Sequence, residues 1–356
     1  MSDFLHTPAC EMLGCRYPIV QTAMGWIADP RLVAATSNAG GFGFLAGAVM
    51  SPAEVDAAIV KTKTLTDRPF GLNFHMFQSG ANEIVDLAIK HSDRIRAVSY
   101  GRGPDKKIIK RFRDAGIICM PTVGAVKHAV KAIELGADLV TVQGSEGGGH
   151  TGSVPTTILL PQVLDAVKVP VLAAGGFYDG RGLAAALAFG AAGIAMGTRF
   201  LMTAESPVPA KTLARYIDAR DAAQIRASTA LDGMPQRMID NEFLLHLENA
   251  SGLNRLLIAL GSAWKLKQRT GMTVSHMLNT AVKALRDENM SVAQTLMAAN
   301  APVIIQRAMV EGKPAEGVLP SGQVAVAINQ LPPVAEMIAA MVDTARARAA
   351  ALGRTA

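Results

Sequence analysis

The stretch PVLAAGGFYDGRGLAAALAFGAAGIAMGTRF, from Pro170 to Phe200, decides the fold class. Two short apolar runs, Pro170–Gly176 and Ala192–Thr198, each have glycine within their last two positions and lead into a segment of helical character. Runs that are apolar on every position are typical of strands buried on both faces of a parallel sheet. The stretch therefore predicts a β-α-β arrangement.

The same alternation extends upstream and predicts eight strand-then-helix units in total. Helix starts are marked by Asp29-Pro30 and by the capping box of Ser51 and Glu54. Eight such units predict a parallel sheet closed into a (β/α)8 TIM barrel, an α/β fold. The six earlier strands are predicted at residues 17–23, 41–46, 70–76, 96–100, 117–123 and 138–144.

The pattern changes after the eighth unit. From residue 207 to about 310 the sequence is helical in character, carries several methionines and shows no strand alternation. We predict that residues 1–206 and 311–356 form the barrel, and that residues 207–310 form an additional C-terminal helical lobe, a lid over the substrate site.

Composition and charge narrow the function class. The 356 residues are 50% hydrophobic and 18% charged, and the net charge of +6 is modest and spread along the chain. This argues against nucleic-acid binding and is compatible with an anionic ligand. Three cysteines make no disulfide framework or zinc site, and no signal peptide or run of about 18 apolar residues occurs. We expect a cytoplasmic protein with no metal; whether it is a monomer or a homodimer is open.

The stretch VQGSEGGGHTG, Val142–Gly152, follows the predicted sixth strand. In barrels of this type the active site lies at the carboxyl ends of the strands, the barrel mouth. This position makes His150 a candidate for proton transfer, because histidine is accessible in both protonation states near neutral pH. The glycines allow close approach of the backbone to a ligand, and Glu146 is interpreted as a loop-fixing residue.

Glycine backbone also follows the seventh and eighth strands, where barrels often bind phosphate through N–H groups. We call this glycine backbone after the seventh and eighth strands the glycine cradle. Because the sequence offers one such phosphate site and no second, it favours a mononucleotide over a dinucleotide. The run GGFGFLAG, starting at Gly40, is similar to a dinucleotide fingerprint. Its glycines precede and lie within a strand, however, so the context that this fingerprint requires is missing.

Several motifs together resemble the FMN-dependent nitronate monooxygenase family over nearly the whole chain: QTAMGW, SNAGGFGFL, GLNF, VQGSEGGGHTG, the stretch around Gly176 and SGQVA. That family also includes an FMN-dependent enoyl-thioester reductase of fatty acid synthesis. The resemblance implies an FMN-binding barrel in which His150 is the catalytic base. It implies FMN contacts from Ala23, Met24, Gly25, Asn73, Gln143, Gly148, Gly149, Ala174, Gly175, Gly176, Gly197, Thr198, Gly322 and Gln323. Substrate contacts are expected from Trp26, His75, Tyr100 and Arg102.

Further motifs resemble one subgroup: TAMGW, EGGGHTG with TTILLPQVLDAV, DGMPQR, and LMAANAPVI with GVLPSGQVA. These are flavin dehydrogenases of bacterial steroid ring C/D catabolism, which act on a hydroxy-methyl-oxo-indane carboxyl-CoA thioester. The implied reaction is α,β-dehydrogenation, with His150 as base and flavin N5 as hydride acceptor. Gly147, where alanine or serine is common, and the long lobe both depart from the usual nitronate monooxygenase pattern.

Other functions remain open at this point. A nitronate monooxygenase would oxidise alkyl nitronates with O2, and an enoyl-thioester reductase would use NAD(P)H. A flavin-binding module without activity is the non-enzyme alternative. A barrel similar to inosine-phosphate dehydrogenase would need a cysteine after strand six, and a hydrolase would need a G-x-S-x-G elbow; the sequence has neither.

Overall fold

The computed structural model describes residues 3–101, 103–250 and 292–353 of the chain. It divides into two compact units. The barrel unit comprises Met1–Gly147, Thr151–Pro207 and Ala327–Ala356, and the hairpin unit comprises Gly148–His150 and Val208–Val326. Residues 311–326, which were expected to belong to the barrel, group with the hairpin unit in this division.

The strands follow each other along the chain as β1 (Ile19–Gln21), β2 (Phe42–Ala46), β3 (Phe70–Asn73), β4 (Ile95–Ser99), β5 (Ile118–Cys119), β6 (Thr122–Val123), β7 (Val140–Gln143), β8 (Gly149–His150), β9 (Val171–Ala174), β10 (Gly193–Met196), β11 (Ile225–Ser228), β12 (Gln236–Ile239) and β13 (Leu319–Pro320). The helices are α1 (Pro8–Leu13), α2 (Pro30–Asn38), α3 (Pro52–Leu65), α4 (Ala81–Lys90), α5 (Lys106–Asp114), α6 (Val126–Leu135), α7 (Thr156–Ala166), α8 (Gly180–Ala188), α9 (Thr198–Leu201), α10 (Ala210–Asp218), α11 (Glu242–Asn249), α12 (Val292–Met309) and α13 (Val334–Gly353).

The barrel unit contains the predicted parallel barrel. Its strands pair in the order β5-β4-β3-β2-β1-β10-β9-β7-β6. β5 and β6 are the two halves of the predicted fifth strand, separated by Met120 and Pro121. The Met120 N–H donates to Val98 O at 2.9 Å, and the Thr141 N–H donates to Pro121 O at 2.9 Å. One segment thus joins both ends of the sheet, which closes it into the predicted eight-stranded barrel.

The capping residues predicted at the starts of two helices form the expected hydrogen bonds. The Asp29 side chain accepts from the Leu32 N–H at the start of α2, and Ser51 and Glu54 form both bonds of a capping box at the start of α3. The C-terminal helix α13 lies close to α8. A Cβ at Gly180 would lie 2.1 Å from Met341 O, so this approach requires glycine.

The barrel interior is filled by apolar side chains, as is usual for this fold. Val20, Phe42, Phe44 and Leu172 are fully buried or nearly so, and the two phenylalanine rings meet edge to face at 5.2 Å. Gly71 gives room for this arrangement, because a Cβ there would lie 2.3 Å from the Phe44 ring. The interior is therefore a packed core that supports the loops at the strand ends.

The hairpin unit contains helices, as predicted, and also a small antiparallel sheet that the sequence analysis did not expect. β12 pairs with β11, β13 and β8. Each of these strands has four residues or fewer, so no alternation is long enough to register as a strand pattern. A local core lies beneath the sheet and includes Leu231, Met238, Leu244, Leu247 and Ile304.

Two negative findings apply to the part of the chain that the structure describes. No helix there is both long and apolar enough to span a lipid bilayer. Within the same residues, no group of three or more His, Cys, Asp or Glu side chains is placed to hold a metal ion. Cys10, Cys15 and Cys119 are free thiols.

Candidate functional site

Four neighbouring strands of the barrel unit, β1, β10, β9 and β7, end side by side at the barrel mouth. The Thr22 N–H donates to Met196 O at 3.0 Å, and the Gly144 N–H donates to Ala174 O at 3.0 Å. These bonds continue the strand pairing into the loops. The structure thereby brings most of the residues predicted for FMN onto one arc: Ala23, Met24, Gly25, Gln143, Ala174, Gly175, Gly176, Gly197 and Thr198.

Glycines after β9 and β10 form an open stretch of backbone. Gly175 and Gly176 have φ values of 89° and 87°, in the left-handed region that favours glycine. A Cβ at Gly197 would lie 3.3 Å from Thr22 Oγ1 and 3.5 Å from Met24 Sδ, so a side chain would fill this space. Glycine-rich backbone at these two strand ends fits the phosphate end of a mononucleotide, whose oxygens accept from backbone N–H groups.

A carboxylate braces this glycine cradle. Glu146 accepts from the Thr156 N–H at 3.0 Å and from Thr156 Oγ1 at 2.8 Å. Thr156 Oγ1 also lies 2.9 Å from Gly175 O. Pro155, which precedes α7, offers no side-chain cap, so Glu146 supplies the cap from another loop. These contacts are consistent with the loop-fixing role predicted for Glu146.

Two polar side chains predicted to contact the flavin ring are held by their neighbours. The Asn73 amide donates to Ser99 O at 3.0 Å and to Ser99 Oγ at 3.1 Å. The side chain of Gln143 lies under Gly147, where a Cβ would be 2.7 Å from Gln143 Nε2. The absence of a side chain at Gly147 therefore leaves room for the Gln143 amide in its present place.

The four predicted substrate residues have different positions. Among the residues that the structure describes, Trp26 is the non-glycine residue with a left-handed backbone, at φ 62°. Backbone strain of this kind often accompanies function. The His75 ring stacks on Phe77 with centroids 4.8 Å apart. Tyr100 is 4% exposed and packs in a core cluster, and burial raises its pKa; its contact with a substrate stays a prediction. Arg102 lies outside the described residues.

The predicted catalytic histidine belongs to the hairpin unit. His150 lies in β8, opposite Gln236 of β12 in the antiparallel register. It follows two glycines with clear backbone roles. Gly149 has a φ of 66°, and a Cβ at Gly148 would lie 2.5 Å from Gly322 N. Gly322, which precedes Gln323 and was predicted to lie near the cofactor, is therefore directly beside the loop that carries His150. The loop can come this close because Gly148 has no side chain.

A buried carboxylate binds the His150 ring. His150 Nε2 lies 2.8 Å from Asp232 Oδ2, and the two side chains are 56% and 5% exposed. The Met234 N–H donates to Asp232 Oδ1 at 3.0 Å, and Gln236 Nε2 donates to Asp232 Oδ2 at 2.5 Å. Burial opposes ionisation of Asp232, but the bonds with His150 and the Met234 N–H outweigh it, so the pKa of Asp232 lies below its ordinary value.

Sequence reasoning did not identify Asp232 or Gln236 as site residues. They lie 82 and 86 residues after His150, so no local spacing connects them. A signal was present in the motif DGMPQR, residues 232–237, which begins with this aspartate and contains this glutamine. The structure shows that two side chains of this motif, Asp232 and Gln236, contact the ring of His150.

The closed barrel and the glycine cradle at its last two strand ends define the class: a (β/α)8 enzyme that binds a phosphate-bearing cofactor. The nitronate monooxygenase family model matches residues 6–344. The chain belongs to the nitronate monooxygenase family of flavin-dependent oxidoreductases.

Individual comparisons agree with this assignment over the full length. The chain is 47% identical to the (3aS,4S,5R,7aS)-5-hydroxy-7a-methyl-1-oxo-octahydro-1H-indene-4-carboxyl-CoA dehydrogenase of Rhodococcus jostii, over 98% of both chains. It is 45% identical to the protein of the same name from Mycobacterium tuberculosis, over 95% of both. The structure of FabK from Thermotoga maritima is similar, with a TM-score of 0.77, 29% identity and coverage of 99% of both chains.

Proposed function

We propose that the protein is an FMN-dependent dehydrogenase of a cyclic acyl-CoA thioester, an intermediate of bacterial steroid C/D-ring degradation. The observation that carries this proposal is the identity of 47% and 45%, over nearly full length, to two dehydrogenases named for an indene carboxyl-CoA substrate. The hairpin unit adds support, because the motif DGMPQR quoted for this subgroup supplies the partners of His150.

FMN suits the barrel mouth because the backbone there offers one phosphate cradle. Gly175, Gly176, Gly197 and Thr198 would hold the phosphate, while Met24, Asn73 and Gln143 would lie along the ring system. When bound, FMN supplies the acceptor for the hydride that leaves the β carbon of the substrate.

His150 would remove the proton from the carbon next to the thioester carbonyl. The Cα–H bond breaks, its proton passes to the imidazole, and its electron pair forms the new Cα=Cβ bond as hydride leaves the β carbon. The thioester carbonyl makes that proton acidic, and the exposed face of His150 is accessible to a substrate. We also propose a cytoplasmic location, which free thiols and a CoA thioester substrate both favour.

Oxidation of an alkyl nitronate is the second candidate, because the matching family model bears the name of that activity. With a nitroalkane-type substrate, His150 would take the proton beside the nitro group, which leaves the nitronate. The identity of 47% and 45% to the two CoA-thioester dehydrogenases favours the first proposal.

The test is to identify the bound flavin by mass and to compare His150→Ala with His246→Ala, an exposed histidine of the same unit. Both variants should keep FMN, and His246→Ala should keep the wild-type melting temperature. His150→Ala should reduce its flavin with a cyclic acyl-CoA about 10²- to 10⁴-fold more slowly, the usual contribution of general acid–base catalysis. Purification with FAD or without flavin, or a normal rate in His150→Ala, would refute the proposal.

A further inference from the structure

The side chains of His150 and Asp232 differ sharply in exposure although they are bonded at 2.8 Å. An exposed imidazole that had no fixed partner would sample several rotamers. Asp232 instead is buried and held from two sides, by the Met234 N–H and by the Gln236 amide. A buried carboxylate is costly unless its hydrogen bonds are satisfied, and here they are. The arrangement therefore fixes an exposed ring through an immobile acceptor.

We propose that Asp232, supported by Gln236, positions His150 and selects its reactive tautomer, so that Nδ1 receives the substrate proton. The inference rests on the proposed role of His150 as base. A carboxylate beside Nε2 favours the tautomer that carries its proton on Nε2, which leaves the lone pair on Nδ1. When the substrate C–H bond breaks, the new N–H bond forms at Nδ1. Asp232 keeps its charge and stabilises the imidazolium, and it takes no proton itself.

The backbone of the hairpin unit holds both partners in register. β8 places His150 opposite Gln236, whose amide donates to Asp232 Oδ2. Gln236 Nε2 also lies 3.2 Å from His150 Nε2, but with the proton on Nε2 both atoms are donors, so Gln236 acts on the ring through Asp232. The turn that leads into β12 is closed by a bond from the Gly233 N–H to Thr229 O at 2.9 Å, with φ 85° at Gly233. The turn and the pairing of β8 with β12 therefore present Asp232 at a defined place relative to His150.

A merely structural Asp232 would stabilise the turn through Met234 and have no effect on proton transfer. Three variants separate the two roles: Asp232→Asn, Asp232→Glu and, as the matched control, Asp240→Asn. Asp240 lies just after β12 and binds Arg226 at 2.9 Å, away from His150. The FMN-loaded enzymes are compared for flavin content, melting temperature, substrate KM and rate of anaerobic flavin reduction against pH.

Asp232→Asn should keep its FMN and KM but reduce its flavin about 10- to 100-fold more slowly, the factor that corresponds to one charge-assisted hydrogen bond. Its rate profile should move to lower pH, because loss of the carboxylate makes the imidazolium less stable. Asp232→Glu should recover part of the rate. Asp240→Asn should match the wild type in rate and in pH profile.

A second readout does not depend on activity. In wild-type holoenzyme labelled with ¹⁵N-histidine, the His150 signals, assigned by their loss in His150→Ala, should show the proton on Nε2. Asp232→Asn should shift this ring toward a mixture of tautomers. A proton on Nδ1 in the wild type would overturn the inference even if no Asp232 variant folds.

The outcomes also separate this inference from the proposed function. If His150→Ala is slow while Asp232→Asn keeps the wild-type rate and pH profile, Asp232 is structural and His150 remains the base. If His150→Ala is itself as fast as the wild type, the proposed function of His150 fails and the inference fails with it.

Discussion

Replacement of Glu146 by alanine should loosen the glycine cradle without any change in the barrel core. The carboxylate caps α7 and ties the loop after β7 to the loop after β9 through Thr156. In Glu146→Ala the Thr156 hydroxyl can still donate to Gly175 O, so its loss is small. The Thr156 N–H, however, loses its acceptor at a helix start that has no other cap.

The loss of this hydrogen bond determines how far the free energy of unfolding should fall. A hydrogen bond to a charged group contributes about 1.5–3 kcal/mol, so the free energy of unfolding of the apoprotein should fall by about 2 kcal/mol. For a chain of this length, this corresponds to a decrease of about 3–4 °C in melting temperature. Glu146→Gln keeps one neutral bond and should lose about 1 kcal/mol. FMN affinity should fall in the same order, because the braced loop carries Gly175 and Gly176.

The assay is thermal and urea unfolding of the apoprotein, followed by titration with FMN. Glu134→Ala is the matched control, since Glu134 is 58% exposed and pairs only with Lys131 among the contacts described. It should change stability by less than about 0.5 kcal/mol. A Glu146→Ala protein as stable as the control, with wild-type FMN affinity, would show that the carboxylate does not brace the cradle.

Three further predictions follow from local geometry. The pKa of Asp232 in the folded protein lies below the unfolded value of 3.8. The wild type should therefore be more stable than Asp232→Asn above pH 3.8 and lose this advantage as the pH falls through the folded pKa, which urea unfolding at a series of pH values would measure. Gly71→Ala places a Cβ 2.3 Å from the Phe44 ring and should lower stability by about 1–3 kcal/mol, whereas Gly116→Ala, with open space but φ 73°, should lose about 1 kcal/mol. Ser51→Ala removes a capping box and should lower the unfolding free energy by about 0.5–2 kcal/mol; an unchanged urea midpoint would contradict it.

The fold could be predicted because the strands and helices of the barrel each have a recognisable local sequence pattern. Each of the eight strands is a short, mostly apolar run, and capping residues such as Asp29 and Ser51 mark the starts of some of the helices that follow. The fifth strand is the instructive case: Pro121 has no N–H, and the run is divided into β5 and β6. The structure keeps the barrel closed because the carbonyl of Pro121 still accepts from Thr141.

The parts of the candidate site that could be predicted are those formed by the backbone of short, continuous segments of sequence. Glycines at the strand ends reveal the cradle, since backbone approach and positive φ both require this residue. The partners of His150 come from a hairpin more than 80 residues away, whose strands are too short to show alternation. Tyr100 shows a further limit: its position after a strand does not reveal its burial, and its ring packs in a core cluster.

The central claim is that the bound flavin accepts electrons from a cyclic acyl-CoA. The most direct measurement mixes oxidised enzyme anaerobically with a hydroxy-oxo-indane carboxyl-CoA thioester in a stopped-flow instrument and follows the flavin absorbance. Propyl-2-nitronate, NADH and NADPH are mixed separately in the same way. The account predicts fast bleaching by the CoA thioester and little by the other three. Fast bleaching by the nitronate alone, fast bleaching by NAD(P)H with reoxidation by an enoyl thioester, or no bleaching by any of them would contradict it.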